Sequence, residues 1–191
     1  CCSTHPTKTL FSFRDGGFVV SNNKKLIDRI KLLRNHGITK NNRDLCDEFG
    51  FNSRMDELQA KILIEKLKTI KKLISLRNLN AKIYHKFLDR KYFYFESKQK
   101  NLVNSYQFFL VLCKRRDELY RYLNSKGVMV LKYFHIPIYK QKAFKNIFPK
   151  PIRLKNADHL EKQSLNLPIR ENLKKDEIRY ICNLMNDFYN L

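Results

Sequence analysis

The apolar residues of this chain recur at helical spacing in two long stretches near its start. A stripe over residues 26–33 predicts a helix that ends near Gly37, since glycine suits a left-handed cap. A longer stripe predicts one helix that starts at Ser53, in capping-box spacing with Asp56, and continues towards Phe87. Such length exceeds that of an average helix and is typical of a helix that joins two lobes.

Other stretches have the spacing and composition of strands. Residues 16–21 predict a short buried strand, entered through two glycines. Beyond Asp89 the predicted elements are a strand over 92–95, a strand over 105–112, a helix over 115–124, a strand over 128–131, an irregular segment over 134–151, a helix over 157–163, a strand over 165–168 and a helix over 174–189. This β-α-β order predicts a small α+β lobe.

The net charge of +21 is the strongest compositional signal. It permits a basic module that binds nucleic acid or an acidic partner, although the lysines are spread over nearly every predicted helix and no recognised nucleic-acid-binding module accompanies them. No apolar run has the length required to cross a bilayer.

The five cysteines form an odd set without metal-type spacing. They favour a reduced, cytoplasmic setting and no metal site. The chain opens on Cys1 without a methionine, and we expect that residues precede it in the intact protein.

Lys8 lies in a turn rich in hydroxyl groups, just before a Gly-Gly strand. A lysine that bonds to a carbonyl carbon must lose its proton, and a fixed, desolvated position favours that loss. Ser3, Thr4 and Thr7 supply hydroxyls of the kind that hold phosphate groups. The residues alone leave two interpretations open, a phosphate-holding turn with a reactive amine or an ordinary surface lysine in a Ser/Thr loop.

Several motifs in a fixed order distinguish these interpretations. S-T-H-P-T-K-T-L over residues 3–10, D-G-G-F-V-V-S-N over 15–22, L-L-R-N-H-G over 32–37 and G-F-N-S-R-M-D-E-L-Q-A over 50–60 follow one another. Together with the Leu-Pro strand and the closing helix, they resemble the DegT/DnrJ/EryC1/StrS family of sugar aminotransferases over nearly the whole chain.

The chain departs from the family pattern at several positions. Thr4 replaces an aromatic residue and Arg14 replaces a glycine. Tyr133 and Tyr139 replace two histidines in a segment, residues 133–141, that is similar to the family motif H-Y-P-I-P-L-H-L-Q. These changes leave the substrate preference open.

The resemblance implies an α/β fold, namely a fragment of a fold-type I aminotransferase. Residues 1–60 correspond to the end of a large cofactor-binding domain, residues 61–90 to a long connecting helix, and residues 91–191 to a small carboxy-terminal α+β domain.

The same resemblance assigns roles to individual residues. Lys8 falls on the lysine that bonds to pyridoxal 5'-phosphate and carries protons, and Ser3 on a residue that binds the cofactor phosphate. Asn52 and Arg54 fall in a segment that reaches the neighbouring subunit's site, although Asn52 also suits a helix-entry cap. The candidates for substrate binding are His5, His36, Tyr133 and Tyr139, and His36 has the alternative role of ordering its loop.

The implied activity is transfer of an amino group from glutamate to a keto-sugar, usually nucleotide-linked, in sugar or cell-surface polysaccharide biosynthesis such as that of lipopolysaccharide. The implied protein is a cytoplasmic homodimer with a shared active site, with no nucleic-acid partner. The family's phosphate loop, ring-stacking aromatic residue and ring-nitrogen acid lie upstream of the lysine, so we expect the chain alone to be inactive. A regulatory relative that binds the cofactor without transferring amino groups remains an alternative.

Overall fold

The computed structural model describes residues 1–39, 43–96, 101–133, 136–144, 146–147 and 152–190. It divides into two compact units, Cys1–Lys71 and Lys72–Leu191. Among the described helices, none is both long enough and apolar enough to cross a membrane.

The first unit contains a small hairpin of two strands. β1 (Cys2–Ser3) pairs antiparallel with β2 (Gly17–Phe18), with Ser3 opposite Gly17. The buried strand predicted over residues 16–21 is therefore wrong in both extent and burial. It is two residues long, and Phe18 and Val20 are exposed because no further described strand pairs with it or covers it.

The first helix forms as predicted. α1 (Lys24–Leu33) is capped by Asn23, whose side-chain oxygen accepts the backbone N–H of Leu26. After its last turn the chain reaches Gly37, whose φ of +72° is left-handed and whose N–H donates to the carbonyl of Leu32 at 3.0 Å. The left-handed glycine predicted at the end of this helix is confirmed.

The single long helix predicted from Ser53 towards Phe87 is wrong, because the structure has two helices there. α2 (Glu57–Leu67) is capped by Asp56, whose carboxylate accepts the Leu58 N–H at 2.8 Å, and not by Ser53. α3 (Ile70–Phe87) follows after a two-residue break.

The break between α2 and α3 has a local cause. The backbone N–H groups of Lys68 and Thr69 donate to the carbonyls three residues earlier, at Glu65 and Lys66, and not to those four residues earlier. The Thr69 hydroxyl also lies 3.2 Å from the Lys66 carbonyl. Tight three-residue closure interrupts an α-helix, and a threonine hydroxyl that bonds back to the chain favours such an interruption.

The second unit is a three-stranded antiparallel sheet with helices. Its remaining elements in chain order are β3 (Phe93–Tyr94), β4 (Phe109–Cys113), α4 (Arg116–Ser125), two 3₁₀ turns (Ile138–Lys140 and Lys142–Phe144), α5 (Lys155–Gln163), β5 (Ser164–Leu167) and α6 (Lys175–Phe188). β4 lies between β3 and β5, with Phe93 opposite Cys113 and Phe109 opposite Leu167. The helices α4, α5 and α6 and the strands β3 and β5 agree with their predictions to within a few residues.

Two of the predicted strands differ from the structure. The strand predicted over residues 105–112 begins only at Phe109, because Tyr106 has a φ of +45° that a strand cannot contain. The strand predicted over 128–131 is reduced to one bridge between Leu131 and Asn166. Of the predicted irregular segment over 134–151, residues 134–135, 145 and 148–151 lie outside the described residues.

The hydrophobic core lies in the second unit. Phe109, Val111 and Cys113 point from β4 into it, and Tyr84 of α3 stacks on Phe109 with ring centroids 4.7 Å apart. Tyr84 also donates its hydroxyl to the Pro168 carbonyl at 2.8 Å, which ties α3 to the chain after β5.

Candidate functional site

Lys8 lies in the loop that joins β1 to β2. Its backbone N–H donates to the His5 carbonyl at 2.8 Å, which closes a turn, and its side chain is half-buried. The hydroxyl oxygen of Ser3 accepts the His5 N–H at 3.3 Å. The structure therefore brings three of the predicted site residues, Ser3, His5 and Lys8, into one turn.

A pair of buried hydroxyl groups holds the base of this loop. Thr4 is fully buried and its N–H donates to the Gly16 carbonyl at 2.8 Å. The backbone N–H of Ser12, which is equally buried, donates to the Thr4 carbonyl at 2.8 Å. A Cβ added at Gly16, just before β2, would lie 2.8 Å from the Thr4 hydroxyl oxygen, so a side chain at this position would displace the buried hydroxyl. Thr4, where the family has an aromatic residue, thus serves as a buried polar link.

His5 orders the turn through both of its ring nitrogens. Nδ1 accepts the Thr7 N–H at 3.2 Å and lies 2.9 Å from the Thr7 hydroxyl, while Nε2 lies 3.6 Å from Asp15 Oδ1. An Nδ1 that accepts a hydrogen bond carries no proton, so the neutral ring presents its N–H at Nε2 towards Asp15. Contact between His5 and a substrate stays a prediction.

The turn has the donor chemistry that a cofactor phosphate needs. The exposed Ser3 hydroxyl accepts the His5 N–H, and a hydroxyl that accepts one hydrogen bond can also donate its proton to an anionic oxygen. The Thr9 hydroxyl oxygen, one residue after Lys8, is buried without a hydrogen-bond partner among the described residues. Buried polar atoms normally have partners, and an orphaned one next to a candidate lysine fits a site that a polar group completes. The residues present therefore fit a phosphate-bearing carbonyl cofactor.

Helix α2 holds the far side of the loop. The side-chain oxygen of Gln59 accepts the Phe13 N–H at 2.8 Å, and Lys66 Nζ donates to the Phe11 carbonyl at 3.0 Å. Lys66 Nζ also lies 3.0 Å from the centroid of the Phe11 ring, and its burial lowers its pKa. Sequence reasoning missed Lys66, because no local pattern signals a contact across 55 positions.

A second cluster forms where two loops cross. His36 has a φ of +59°, and its N–H donates to the Phe51 carbonyl at 2.9 Å. Asn35 forms a bridge with Asn52, and the Nε of Arg54 donates to the Asn52 side-chain oxygen at 3.3 Å. The side chains of His36, Asn52 and Arg54 are exposed. The alternative that Asn52 caps the following helix is wrong, because Asp56 is the cap.

Two glycines permit this crossing. A Cβ at Gly37 would lie 1.8 Å from the Glu48 carbonyl oxygen, and a Cβ at Gly50 would lie 2.1 Å from the Gly37 nitrogen. No side chain fits at these distances, so the backbones must touch directly. The crossing thereby fixes the position of the backbone that carries the exposed side chains of Asn52 and Arg54.

The two tyrosine candidates lie in the second unit. Tyr133 is half-buried, and its ring lies 4.7 Å from that of Phe108. Tyr139 donates its hydroxyl to Asp158 Oδ1 at 2.5 Å. The two residues that follow Tyr133, Phe134 and His135, lie outside the described residues.

Comparison with known proteins places this arrangement in a family. The model of the DegT/DnrJ/EryC1/StrS aminotransferase family matches residues 1–186. The UDP-4-amino-4,6-dideoxy-N-acetyl-beta-L-altrosamine transaminase of Campylobacter jejuni is 30% identical over 187 residues, which cover 94% of this chain and 49% of that protein. The pleiotropic regulatory protein of Geobacillus stearothermophilus is 28% identical over 190 residues, which cover 98% of this chain and 50% of that protein.

A solved structure has the same fold. The crystal structure of S. venezuelae DesV in complex with a ketimine intermediate superposes with a TM-score of 0.90 at 26% sequence identity, covering 99% of this chain and 51% of that one. This chain thus spans about half the length of the relatives it matches. Its fold is that of the matching half of a fold-type I aminotransferase. The 191 residues belong to the DegT/DnrJ/EryC1/StrS aminotransferase family.

Proposed function

We propose that this chain is the carboxy-terminal half of a pyridoxal-phosphate-dependent aminotransferase, and that Lys8 is the residue that bonds to the cofactor. The observation that carries the proposal is the turn of Ser3, His5 and Lys8, which is held at its base by buried hydroxyls within a family match over residues 1–186. The domain division at residues 60 and 90 is part of the same proposal.

Each residue of the turn has a stated task in this proposal. Ser3 would donate its hydroxyl proton to the cofactor phosphate, and Lys8 Nζ would be the amine that bonds to the cofactor carbonyl carbon. Lys8 Nζ then takes the proton from the substrate carbon and returns it during amino transfer. The cofactor supplies the electron sink when it is bound. His5 holds the turn that carries Lys8 in place through Thr7 and Asp15.

The amino donor in this proposal is glutamate and the acceptor is a nucleotide-linked keto-sugar. The names of two relatives support the acceptor class, since the Campylobacter jejuni protein is a UDP-linked amino-sugar transaminase and an Aneurinibacillus thermoaerophilus protein is a dTDP-3-amino-3,6-dideoxy-alpha-D-galactopyranose transaminase. The role in cell-surface polysaccharide assembly, lipopolysaccharide included, follows from that class of product and belongs to the proposal, as does the cytoplasm as its place.

The intact protein is proposed to be a homodimer with a shared active site. Asn52 and Arg54 leave the rigid loop crossing as exposed side chains, next to the exposed aromatic side chains of Phe49 and Phe51. Exposed apolar groups beside polar ones are typical of protein interfaces. Since the chain spans about half the length of its relatives, the proposal includes negligible transaminase activity of the 191 residues alone.

A regulatory function without amino transfer is the second candidate. The relatives named a pleiotropic regulatory protein and an erythromycin biosynthesis sensory transduction protein favour it, at 28% and 29% identity. The two functions differ in one observable, since only the aminotransferase passes nitrogen from glutamate to a keto-sugar.

The test uses the full-length protein, loaded with pyridoxal 5'-phosphate. Glutamate is added first, and the absorbance of the cofactor is followed; UDP-linked and dTDP-linked 4-keto-6-deoxyhexoses are then offered, and amino-sugars are detected by mass spectrometry. We expect glutamate to convert the cofactor spectrum and one sugar class to restore it. Lys8→Ala abolishes both steps, whereas the exposed control Lys25→Ala on α1 leaves them unchanged. A cofactor spectrum that glutamate never alters would contradict the proposal and favour the regulatory candidate.

A further inference from the structure

Two side chains of the segment 136–144 tie it to two carboxylates of α5. Tyr139 donates its hydroxyl to Asp158 Oδ1 at 2.5 Å, and Lys140 Nζ lies 2.7 Å from the same oxygen. Lys140 also pairs with Glu161, one turn further along the helix. Two consecutive residues of the segment thus meet two carboxylates that α5 presents on one face.

The segment has little backbone structure of its own. The Lys140 N–H donates to the Pro137 carbonyl at 2.9 Å, and the Gln141 N–H to the Ile138 carbonyl at 3.0 Å. These bonds close the first of the segment's two short 3₁₀ turns, Ile138–Lys140 and Lys142–Phe144, and turns of this length are marginal without tertiary contacts. The contacts of Tyr139 and Lys140 therefore decide where the segment lies.

The helix that receives these contacts is itself fixed. Arg116 at the start of α4 is buried, and its guanidinium donates to the carbonyls of Ser164 and Glu161 at 2.9 Å each. These carbonyls are at the end of α5, where the helix passes directly into the fully buried strand β5. Asp158 and Glu161 consequently project from a support that is anchored in the core of the second unit.

The protonation states of Asp158 and Tyr139 favour the hydrogen bond between them. The hydrogen bond from Lys140, followed by that from Tyr139, lowers the pKa of Asp158, so its carboxylate is ionised at neutral pH. The hydrogen bond to Asp158 raises the pKa of Tyr139, so the phenol keeps its proton. A phenol has one proton to donate, and in the structure Tyr139 donates it to Asp158.

We propose that Tyr139 is a positioning residue, which with Lys140 anchors the segment 136–144 to Asp158 and Glu161 and thereby sets the affinity for the sugar acceptor. The inference rests on the proposed function and on the prediction, made from the family resemblance, that the segment around Tyr139 binds the substrate. It departs from the expectation that Tyr139 contacts the substrate, because the structure gives its hydroxyl another partner.

The test compares Tyr139→Phe with wild type in the full-length, cofactor-loaded protein. Hydrogen–deuterium exchange of the peptide 136–144 measures the anchor, and we expect exchange about tenfold faster, because a hydrogen bond to an ionised group is lost. The KM for a UDP-linked 4-keto-6-deoxy-N-acetylhexosamine rises by a similar factor, while the rate at which glutamate converts the cofactor is unchanged. Tyr180→Phe, an exposed tyrosine on α6, is the matched control.

Two further variants separate positioning from direct contact. Asp158→Ala removes the acceptor of both hydrogen bonds, and its effect on exchange and on the sugar KM must be at least as large as that of Tyr139→Phe. The double variant is then no worse than Asp158→Ala alone, because both changes break one link. If Tyr139 touched the sugar directly, Tyr139→Phe would raise the sugar KM and Asp158→Ala would not, and that outcome overturns the proposal.

The cofactor spectrum and the hydrogen–deuterium exchange distinguish a failure of the proposed function from a failure of the anchor. If glutamate does not convert the wild-type cofactor, the proposed function fails, and the exchange measurement still decides whether Tyr139 anchors the segment. If exchange over 136–144 is the same in Tyr139→Phe and wild type, the anchor is contradicted whatever the enzyme does. Faster exchange with an unchanged sugar KM refutes the link between anchor and acceptor.

Discussion

The two units of this chain differ in what stabilises each of them internally. Among the described residues, Leu63 is the one buried apolar side chain of the first unit, whereas the second unit contains a continuous core that extends from Ala81 to Phe188. The first unit instead buries the hydroxyls of Thr4 and Ser12 and relies on close backbone contacts.

The proposed chemistry and the hydrophobic core therefore lie in different units of the chain. The unit with the core supplies an independent scaffold, because apolar burial is the dominant favourable contribution to folding. The unit with Lys8 leaves Phe49, Phe51 and Leu58 exposed. Both units expose large apolar side chains, but among the described residues only the second has a continuous core of its own. The first unit, which carries the proposed chemistry, is therefore the one we expect to depend on partners for its stability.

The largest expected contrast between the units is in thiol reactivity. Burial raises the pKa of Cys113 to about 11 and that of Cys182 to about 12, from an ordinary value of 9.0, while Cys1, Cys2 and Cys46 are exposed. At pH 8 the buried thiols are almost wholly protonated, and the thiolate is the nucleophile, so the raised pKa alone should slow iodoacetamide about 100-fold at Cys113 and about 1000-fold at Cys182 relative to a thiol of ordinary pKa, and burial slows it further. Peptide mass spectrometry of the 191-residue chain measures these ratios.

The raised pKa values of Cys113 and Cys182 also make the stability of the second unit depend on pH. A thiol whose pKa is raised by folding stabilises the fold fully below its unfolded pKa, and that contribution is lost as the pH rises from about 9 towards 11 and 12. Comparable modification rates for Cys46 and Cys182 at pH 8 would show that the second unit has no closed core.

The next contrast is in the cost of truncating a leucine. Leu119 on α4 is fully buried and Leu58 on α2 is 66% exposed. We expect Leu119→Ala to lower the free energy of unfolding by about 3 kcal/mol, because it leaves a cavity, and Leu58→Ala by less than about 0.5 kcal/mol. Urea unfolding of the chain measures both. Equal costs would mean that burial does not distinguish the two units.

The smallest expected contrast concerns two glycines. Gly37 and Gly127 have nearly equal φ values of +72° and +77°, but a Cβ would meet the Glu48 carbonyl at 1.8 Å in the first case and nothing within 4 Å in the second. Gly127→Ala therefore costs only the left-handed strain, about 1 kcal/mol. Gly37→Ala costs about 2 kcal/mol or more, because the loop crossing must also open. Circular dichroism melts compare them, and a Gly37→Ala chain as stable as Gly127→Ala would rule out the crossing.

Most of the second unit could be predicted from periodicity, since α4 and α6 each present an apolar stripe to a core that exists within the chain. Prediction failed where local pattern competes with a specific backbone state. Tyr106 has a positive φ that no alternation reveals, and residues 128–131 alternate like a strand but have one bridge only. The break at Thr69 similarly depends on one hydroxyl within an unbroken apolar stripe.

The candidate site was predicted by motif and not by physical pattern. Ser3 and Lys8 are close in sequence, so their common turn follows from their spacing. The links that hold the turn, from Ser12 to Thr4 and from Lys66 to Phe11, join residues that no local signal connects. The partner of Tyr139 was also hidden, because Asp158 lies 19 positions away on a helix whose facing residues depend on the tertiary fold.

The central claim is that Lys8 bonds to the cofactor, and borohydride reduction tests it most directly. The full-length protein, loaded with pyridoxal 5'-phosphate, is reduced, digested and mapped by mass spectrometry, with Lys8→Ala as the control. We predict a pyridoxyl group on Lys8 and none on the variant. A label on any other lysine, or no label on the wild-type protein, would contradict the account.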